Sequence, residues 1–301
     1  VKKICITNIS KDEFWQMPKL YQETLVDSFR DKAQFHFIES TAGMRESLKD
    51  CDMIIGMPFS KGAVRKNQNL ERVHFWTAQV PLSWQDSGEI EVSSSSGVNS
   101  ESVAEHGLYL MMKALRGEVG HEDLLHDDFL VAQTPKNMTC GIVGLGNIGE
   151  SLIKLIRPLF GSVNALSRTQ KDIEGLDKFY SLVQMEEFYK DCDYIVFCLP
   201  LTSETSEYFK GEGFYSNLKK NAVLVNLSRG ELFDESEMTQ FLSTHSHARY
   251  LTDVTYPEPY PEDGALRDLD NIFITPHIGG RRDDIWDLLT KRTIEELNNW
   301  I

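Results

Sequence analysis

Three polar residues stand immediately or shortly after apolar, β-type runs, although they are far apart in the chain. Arg229 follows the run 222–227 in the stretch VNLSRGEL (225–232). Glu258 lies in the proline-rich loop after the run 250–254, and His277 follows the run 272–275 in TPHIGG (275–280). A guanidinium, a carboxylate and an imidazole suit one kind of chemistry. Reduction of a carbonyl needs a proton donor for the oxygen, and histidine is the side chain poised near neutral pH. It also needs a cation to hold the substrate and polarise the carbonyl, which suits arginine. A carboxylate behind the histidine would orient it and favour its protonated form.

The hydride donor has its own signature. Gly144-Leu145-Gly146-Asn147-Ile148-Gly149 sits between a β-type run (Cys140, Ile142, Val143) and an apolar helical pattern at Leu152, Ile153, Leu155, Ile156 and Leu159. This is G-x-G-x-x-G in the βαβ context of a dinucleotide site. Gly144 allows the tight turn, Gly146 lets a pyrophosphate approach the backbone, and Gly149 lets helix and strand pack closely. The helix N-terminus offers free N–H groups and partial positive charge. A second β-type run ends at Ser167-Arg168-Thr169, where a site selective for the unphosphorylated cofactor would carry Asp or Glu. No carboxylate stands there, and Arg168 can pair with a 2′-phosphate, with Lys171 adding charge. The pattern predicts NADP(H) in preference, with NAD(H) as the second choice.

Such residues meet only if the elements before them lie side by side. Strand-type runs at 3–7, 35–38, 52–56, 73–77 and 90–92 alternate with helical segments at 11–30 and 44–49, which predicts a first α/β domain. The serine-rich stretch 93–100 reads as a linker, and Ser102-Val103-Ala104-Glu105 as a capping box opening a helix to Gly117. That helix is apolar almost all round and is expected to be buried on most sides. A polar connector follows at 121–133. From Cys140 onward the chain alternates again, with runs at 193–199, 222–227, 250–254 and 272–275, a helix at 234–244 and a last helix at 283–301. The predicted fold class is α/β. It has two doubly wound parallel-sheet domains, the second a Rossmann-type nucleotide-binding domain. In such a sheet, ligands sit at the carboxyl ends of the strands.

Composition narrows the classes. The chain has 301 residues, enough for two cores, and its net charge of −15 argues against nucleic-acid or anionic-membrane partners. Five cysteines with no C-x-x-C motif suggest buried, reduced thiols in a cytoplasmic protein. No run is long enough to span a bilayer, and no cluster has metal-ligand spacing. Among the eight histidines, His277 ranks above His36, His74, His121, His126, His245 and His247 by its place after a strand. His106, next to Glu105, reads as a contact at the domain boundary. Met57, Pro58 and Phe59 could wall a pocket, with core packing the plainer role for Phe59.

The second half resembles the D-2-hydroxyacid dehydrogenase family, in its branch of glyoxylate/hydroxypyruvate reductases and phosphoglycerate dehydrogenase-like proteins. The matching stretches are ESVAEH (101–106), GLGNIG (144–149), CLPLTSET (198–205), VNLSRGEL, DVTYPEPYP (253–261) and NIFITPHIGG (271–280). The resemblance implies reduction of a small 2-oxo acid to the D-2-hydroxy acid, with Arg229, Glu258 and His277 catalytic and Asp253 on the nicotinamide amide. It also implies cofactor contacts at Gly144, Gly146, Asn147, Ile148, Gly149, Ser167, Arg168, Thr169, Leu199, Pro200, Thr205, Leu227, Ser228, Gly279 and Gly280. The resemblance further implies that the nucleotide-binding domain (96–280) is inserted in a flavodoxin-like substrate domain (1–95 with 281–301), that the two domains close, and that the chain forms a homodimer through the helix at 102–116. The loop 77–84 departs from the family pattern, which leaves the identity of the oxo acid open. A dinucleotide-sensing binding protein and a formate- or phosphonate-type dehydrogenase are the alternatives.

Overall fold

The computed structural model describes residues 1–117 and 132–301. His121, His126 and most of the expected connector lie outside the described residues. The chain divides into two compact units, 1–99 with 282–301, and 100–281.

The first unit holds five strands: β1 (Lys2–Thr7), β2 (Ala33–Ile38), β3 (Met53–Gly56), β4 (Arg72–Phe75) and β5 (Glu91–Ser94). They pair in parallel in the order β2-β1-β3-β4-β5, the flavodoxin-like order. The helix expected over 11–30 is shorter. A 3-10 turn at Glu13–Trp15 precedes a helix at Lys19–Ser28, with Pro18 as its N-cap. Proline has no N–H and its ring clashes with the preceding turn, so a helix can start after it but not run through it. The serine stretch is not a linker over its whole length. Ser93 and Ser94 belong to β5, and Ser95 is buried. Ser93 and Ser95 hydrogen-bond the two ring nitrogens of His74 at 2.8 and 3.0 Å. Burial, with the Arg292 charge behind it, lowers the His74 pKa to about 4, so this histidine is a neutral core residue.

The helix Ile285–Asn298 belongs to this unit and makes it discontinuous in sequence. Its Ile285, Trp286, Leu289 and Leu297 join Ile4, Ile6, Leu25, Met53 and Trp76 in one core cluster. Trp76 donates from Nε1 to Thr293 Oγ1 at 3.0 Å, and Trp286 donates to the Phe14 carbonyl at 3.0 Å.

The second unit holds β6 (Thr139–Val143), β7 (Ser162–Leu166), β8 (Lys178–Tyr180), β9 (Tyr194–Phe197), β10 (Val223–Asn226), β11 (Arg249–Thr252) and β12 (Ile272–Ile274). All pair in parallel, in the order β12-β11-β10-β9-β6-β7-β8. Numbered from β6, this is the Rossmann order 3-2-1-4-5-6 with a further strand at its edge. Alternate residues feed two cores. Ile195, Phe197 and Leu224 face one, while Tyr194, Val196, Val223 and Val225 face the other. A sheet covered on both faces produces the unbroken apolar runs seen in the sequence.

The helix Ser100–Arg116 starts two residues before the expected capping box, so Ser102 is inside it and caps nothing. Ala104, Leu110, Met111, Ala114 and Leu115 pack into the second core. Its burial is one-sided, because Tyr109 and Met112 are exposed. Four cysteines are buried and Cys198 is partly buried, all as free thiols. Among the described residues, no helix is long and apolar enough to cross a membrane.

Replacing Trp286 with alanine removes a ring stacked edge-on against Trp76 at 5.1 Å between centroids. The expected cost is about 3–5 kcal/mol, read as a lower denaturant midpoint in unfolding experiments.

Candidate active site

Register places the site. Across the second sheet, Leu166 pairs with Val143, Val143 with Phe197, Phe197 with Asn226, Asn226 with Thr252, and Thr252 with Ile274. These six residues form one row at the carboxyl ends of six strands. Each sequence-predicted residue beyond Gly141 therefore leaves the sheet along the same edge.

The turn after β10 is shaped by Asn226, which is fully buried. Its amide donates to the Arg229 carbonyl at 2.9 Å and to Tyr250 Oη at 3.2 Å, while its carbonyl oxygen accepts the Ser228 N–H at 2.9 Å. Arg229 is half-buried, and its Nη1 donates to the Ser228 carbonyl at 2.6 Å. The loop after β11 lies against this turn: a Cβ on Gly230 would stand 2.2 Å from the Thr255 carbonyl carbon. That loop carries Glu258. Glu258 Oε1 accepts the Thr255 N–H at 3.0 Å, and Oε2 accepts from His277 Nδ1 at 2.8 Å. Burial alone would raise the Glu258 carboxyl. The His277 bond and charge, the Thr255 N–H and the Arg229 charge outweigh it and hold the carboxyl below its usual value. The structure thus brings Arg229, Glu258 and His277 together, with His277 and Glu258 side chains 49% and 39% exposed. Among the described residues, His277 is the one non-glycine with positive φ, at 54°. That left-handed conformation costs about 1 kcal/mol and persists only where surroundings enforce it.

Asp253 does the enforcing. Its Oδ1 accepts from Thr275 Oγ1 at 2.6 Å and from the Ile278 N–H at 2.9 Å, and its Oδ2 accepts the Gly279 N–H at 2.7 Å. His106 Nε2 lies 3.3 Å from Oδ1. Burial pushes the Asp253 carboxyl up, but His106, Thr275 and the two backbone donors together hold it below its usual value.

The glycine cluster forms the other part. Gly144 adopts φ 102°, and Gly146 is the N-cap of a helix at Asn147–Ile156. A Cβ on Gly149 would stand 2.3 Å from the Gly144 carbonyl oxygen, whereas a Cβ on Gly146 would meet nothing within 4 Å. Gly146 therefore faces open space beside the free N–H groups of the helix, which fits a pyrophosphate. A cavity of about 190 Å³ opens there. It is lined by Gly144, Gly146, Ser167, Arg168, Leu199, Pro200 and Thr205, and also by Leu182 and Tyr208. Thr205 is buried and fixes the loop by donating to the Pro200 carbonyl at 2.7 Å. Ser228 Oγ accepts the Leu199 N–H at 3.0 Å, tying two strand ends together. The other expected contacts fall outside this cavity. Asn147 and Thr169 are exposed, Ile148 packs into the core, Leu227 is buried, and Gly279 and Gly280 belong to the His277 loop.

The expected absence of a carboxylate near Arg168 needs correction. None stands at the end of β7, but Glu204 reaches across from the loop after β9, with Oε2 3.4 Å from Arg168 Nη1. Tyr208 donates to the other oxygen of Glu204. Lys171 is likewise paired, with Glu150 at 2.6 Å. Both cations are therefore partnered, by loop and helix residues that strand-end reading does not reach. Among the described residues, no group of histidine, cysteine and carboxylate side chains could hold a metal ion.

With this geometry in hand, comparison with known proteins is specific. The model of the D-isomer specific 2-hydroxyacid dehydrogenase NAD binding domain matches residues 108–279. This chain belongs to the D-isomer specific 2-hydroxyacid dehydrogenase family, and is an NAD(P)-dependent oxidoreductase of that family. It is 34% identical to the human glyoxylate reductase/hydroxypyruvate reductase over 143 residues, 47% of this chain and 43% of that protein. It is 27% identical to the mitochondrial formate dehydrogenase of Solanum tuberosum over 258 residues, 80% of this chain and 68% of that protein. The fold matches a D-isomer specific 2-hydroxyacid dehydrogenase from Xanthobacter autotrophicus Py2, solved with NADPH and MES. The TM-score is 0.82 at 20% identity, over 99% of this chain and 95% of that one.

Gly146 and Gly149 should separate binding from folding. Gly146→Ala is expected to keep the thermal midpoint of the parent and to weaken NADPH binding about tenfold or more in a fluorescence titration. Gly149→Ala forces its Cβ onto a backbone oxygen and is expected to cost about 1–3 kcal/mol of stability.

Proposed function

We propose that the chain reduces a small 2-oxo acid, of glyoxylate or hydroxypyruvate type, to the D-2-hydroxy acid, with NADPH preferred over NADH. The observation that carries this reading is the 2.8 Å contact of His277 Nδ1 with Glu258, close enough to Arg229 for its charge to act on the carboxyl. A bound reduced nicotinamide would supply the hydride that the substrate C2 takes up. Arg229 holds the substrate carboxylate and polarises the carbonyl. Glu258, an acceptor only, fixes the proton on His277 Nδ1, so Nε2 is the nitrogen that gives its proton to the developing alkoxide. The same pair runs in reverse for oxidation. The preference for NADPH rests on Arg168 at the rim of the 190 Å³ cavity, where a 2′-phosphate would displace Glu204.

Formate oxidation is the second reading, favoured by the long match to the Solanum enzyme. Oxidation of formate to carbon dioxide removes a hydride but releases no hydroxyl proton. It gives an imidazole–carboxylate pair nothing to carry, which supports the oxo-acid reading instead. A homodimer through the helix Ser100–Arg116 fits its exposed Tyr109 and Met112, and the reduced buried thiols suit a cytoplasmic setting.

The deciding assay is absorbance of NADPH and NADH with a panel of small oxo acids and formate. His277→Ala is expected to lower kcat about 100-fold or more while NADPH affinity stays within about twofold. Turnover like the parent's would remove His277 from the mechanism. Arg168→Ala is expected to raise KM for NADPH about tenfold and leave KM for NADH nearly unchanged. An equal effect on both cofactors would sink the phosphate contact.

A further inference from the structure

The helix Ser100–Arg116 contacts the His277 loop through two side chains one turn apart. Ser102 Oγ donates to the Gly279 carbonyl at 2.7 Å. His106 Nε2 lies 2.9 Å from Thr275 Oγ1. The Thr275 hydroxyl gives its proton to Asp253 at 2.6 Å, so its oxygen is free to accept from His106. Asp253 in turn holds the N–H groups of Ile278 and Gly279. Residues 275 and 278 are therefore tied to one carboxylate oxygen, and His277 between them has φ 54°. Space is equally tight: a Cβ on Gly279 would stand 2.8 Å from Asp253 Oδ2 and 3.3 Å from His106 Cβ.

We propose that His106 is a positioning residue for His277, acting through Thr275 and Asp253 on the backbone of residues 277–279. This rests on the reading of His277 as proton donor given above. His106 makes its polar contacts with Thr275 and Asp253. It supplies the donor that completes the Thr275–Asp253 pair. With that donor gone, the loop relaxes toward the commoner right-handed backbone and turns the imidazole away from Glu258. Small displacements of a reacting group lower the chemical step far more than they lower binding.

The test uses two variants on opposite ends of the link. His106→Phe keeps a ring and removes the donor. Thr275→Val keeps the shape and removes the relay hydroxyl. Each is expected to lower kcat about tenfold or more, with KM for the oxo acid and Kd for NADPH within about threefold. His106→Gln, which retains an N–H donor, is expected to recover much of the loss. The double variant His106→Phe/His277→Ala is expected to be no slower than His277→Ala alone, because both act on one step. Amide exchange at Ile278 and Gly279, followed by NMR on the cofactor-free protein, is expected to rise about tenfold in both single variants. A kcat within about twofold of the parent, an additive loss in the double variant, or unchanged exchange overturns the proposal. Should the parent reduce no oxo acid, the proposed function fails on its own. Exchange at the two amides then decides whether His106 holds the loop. Should His106→Phe not fold, Thr275→Val gives the same reading.

Discussion

Parallel register is the constraint on which this molecule's chemistry depends. Leu166, Val143, Phe197, Asn226, Thr252 and Ile274 stand in one row, at roughly 4.8 Å per step. Because every strand runs the same way, each chain segment leaves the sheet at the same edge. Arg229, Glu258 and His277 leave from three adjacent strands, and the glycine turn and Arg168 from two more. A one-residue slip in β10 would exchange Leu224 for its neighbours between the two cores and would move Arg229 along the edge. The apolar cost of such a slip is what keeps a polar site in place.

Electrostatics within that edge is arranged in pairs. The chain carries a net charge of −15, yet an anionic substrate and cofactor are what the family takes up. Arg229 is half-buried and its charge acts on the Glu258 carboxyl, where screening is weaker than between fully exposed groups. Arg168 and Lys171 are more exposed, and each is already paired with a carboxylate, Glu204 and Glu150 respectively. Buried Asp253 is the opposite case. It is a charge with four donors, which keeps it ionised and fixes the backbone around it.

Much of this was legible in the amino-acid order, for a physical reason. A doubly covered sheet demands continuous apolar strands, so the runs before Leu199, Ser228 and His277 stand out, and the residues after them follow by rule. The glycine cluster is legible because only a residue without a side chain fits where a Cβ on Gly149 would strike a backbone oxygen. What stayed hidden was of two kinds. β8 is three residues long, at the sheet's edge, too short to show a period. The contacts of His106 with Thr275, 169 residues away, and of Glu204 with Arg168 depend on how a helix and a loop fold back over the sheet. The start of the helix at Ser100 was displaced in the same way: Ser102 has the residue type of a cap but spends its hydroxyl on Gly279.

The return of the helix Ile285–Asn298 to the first unit has a consequence for synthesis. A ribosome makes the chain from its amino end, so β1 to β5 emerge long before Trp286, Leu289 and Leu297, which cover Ile4, Ile6 and Trp76. The inserted unit has all of its own segments as soon as residue 281 is outside the tunnel. Of these two units, the one begun earlier is thus the one whose hydrophobic interior is sealed later. Until then its open face is the surface that a nascent-chain chaperone would meet.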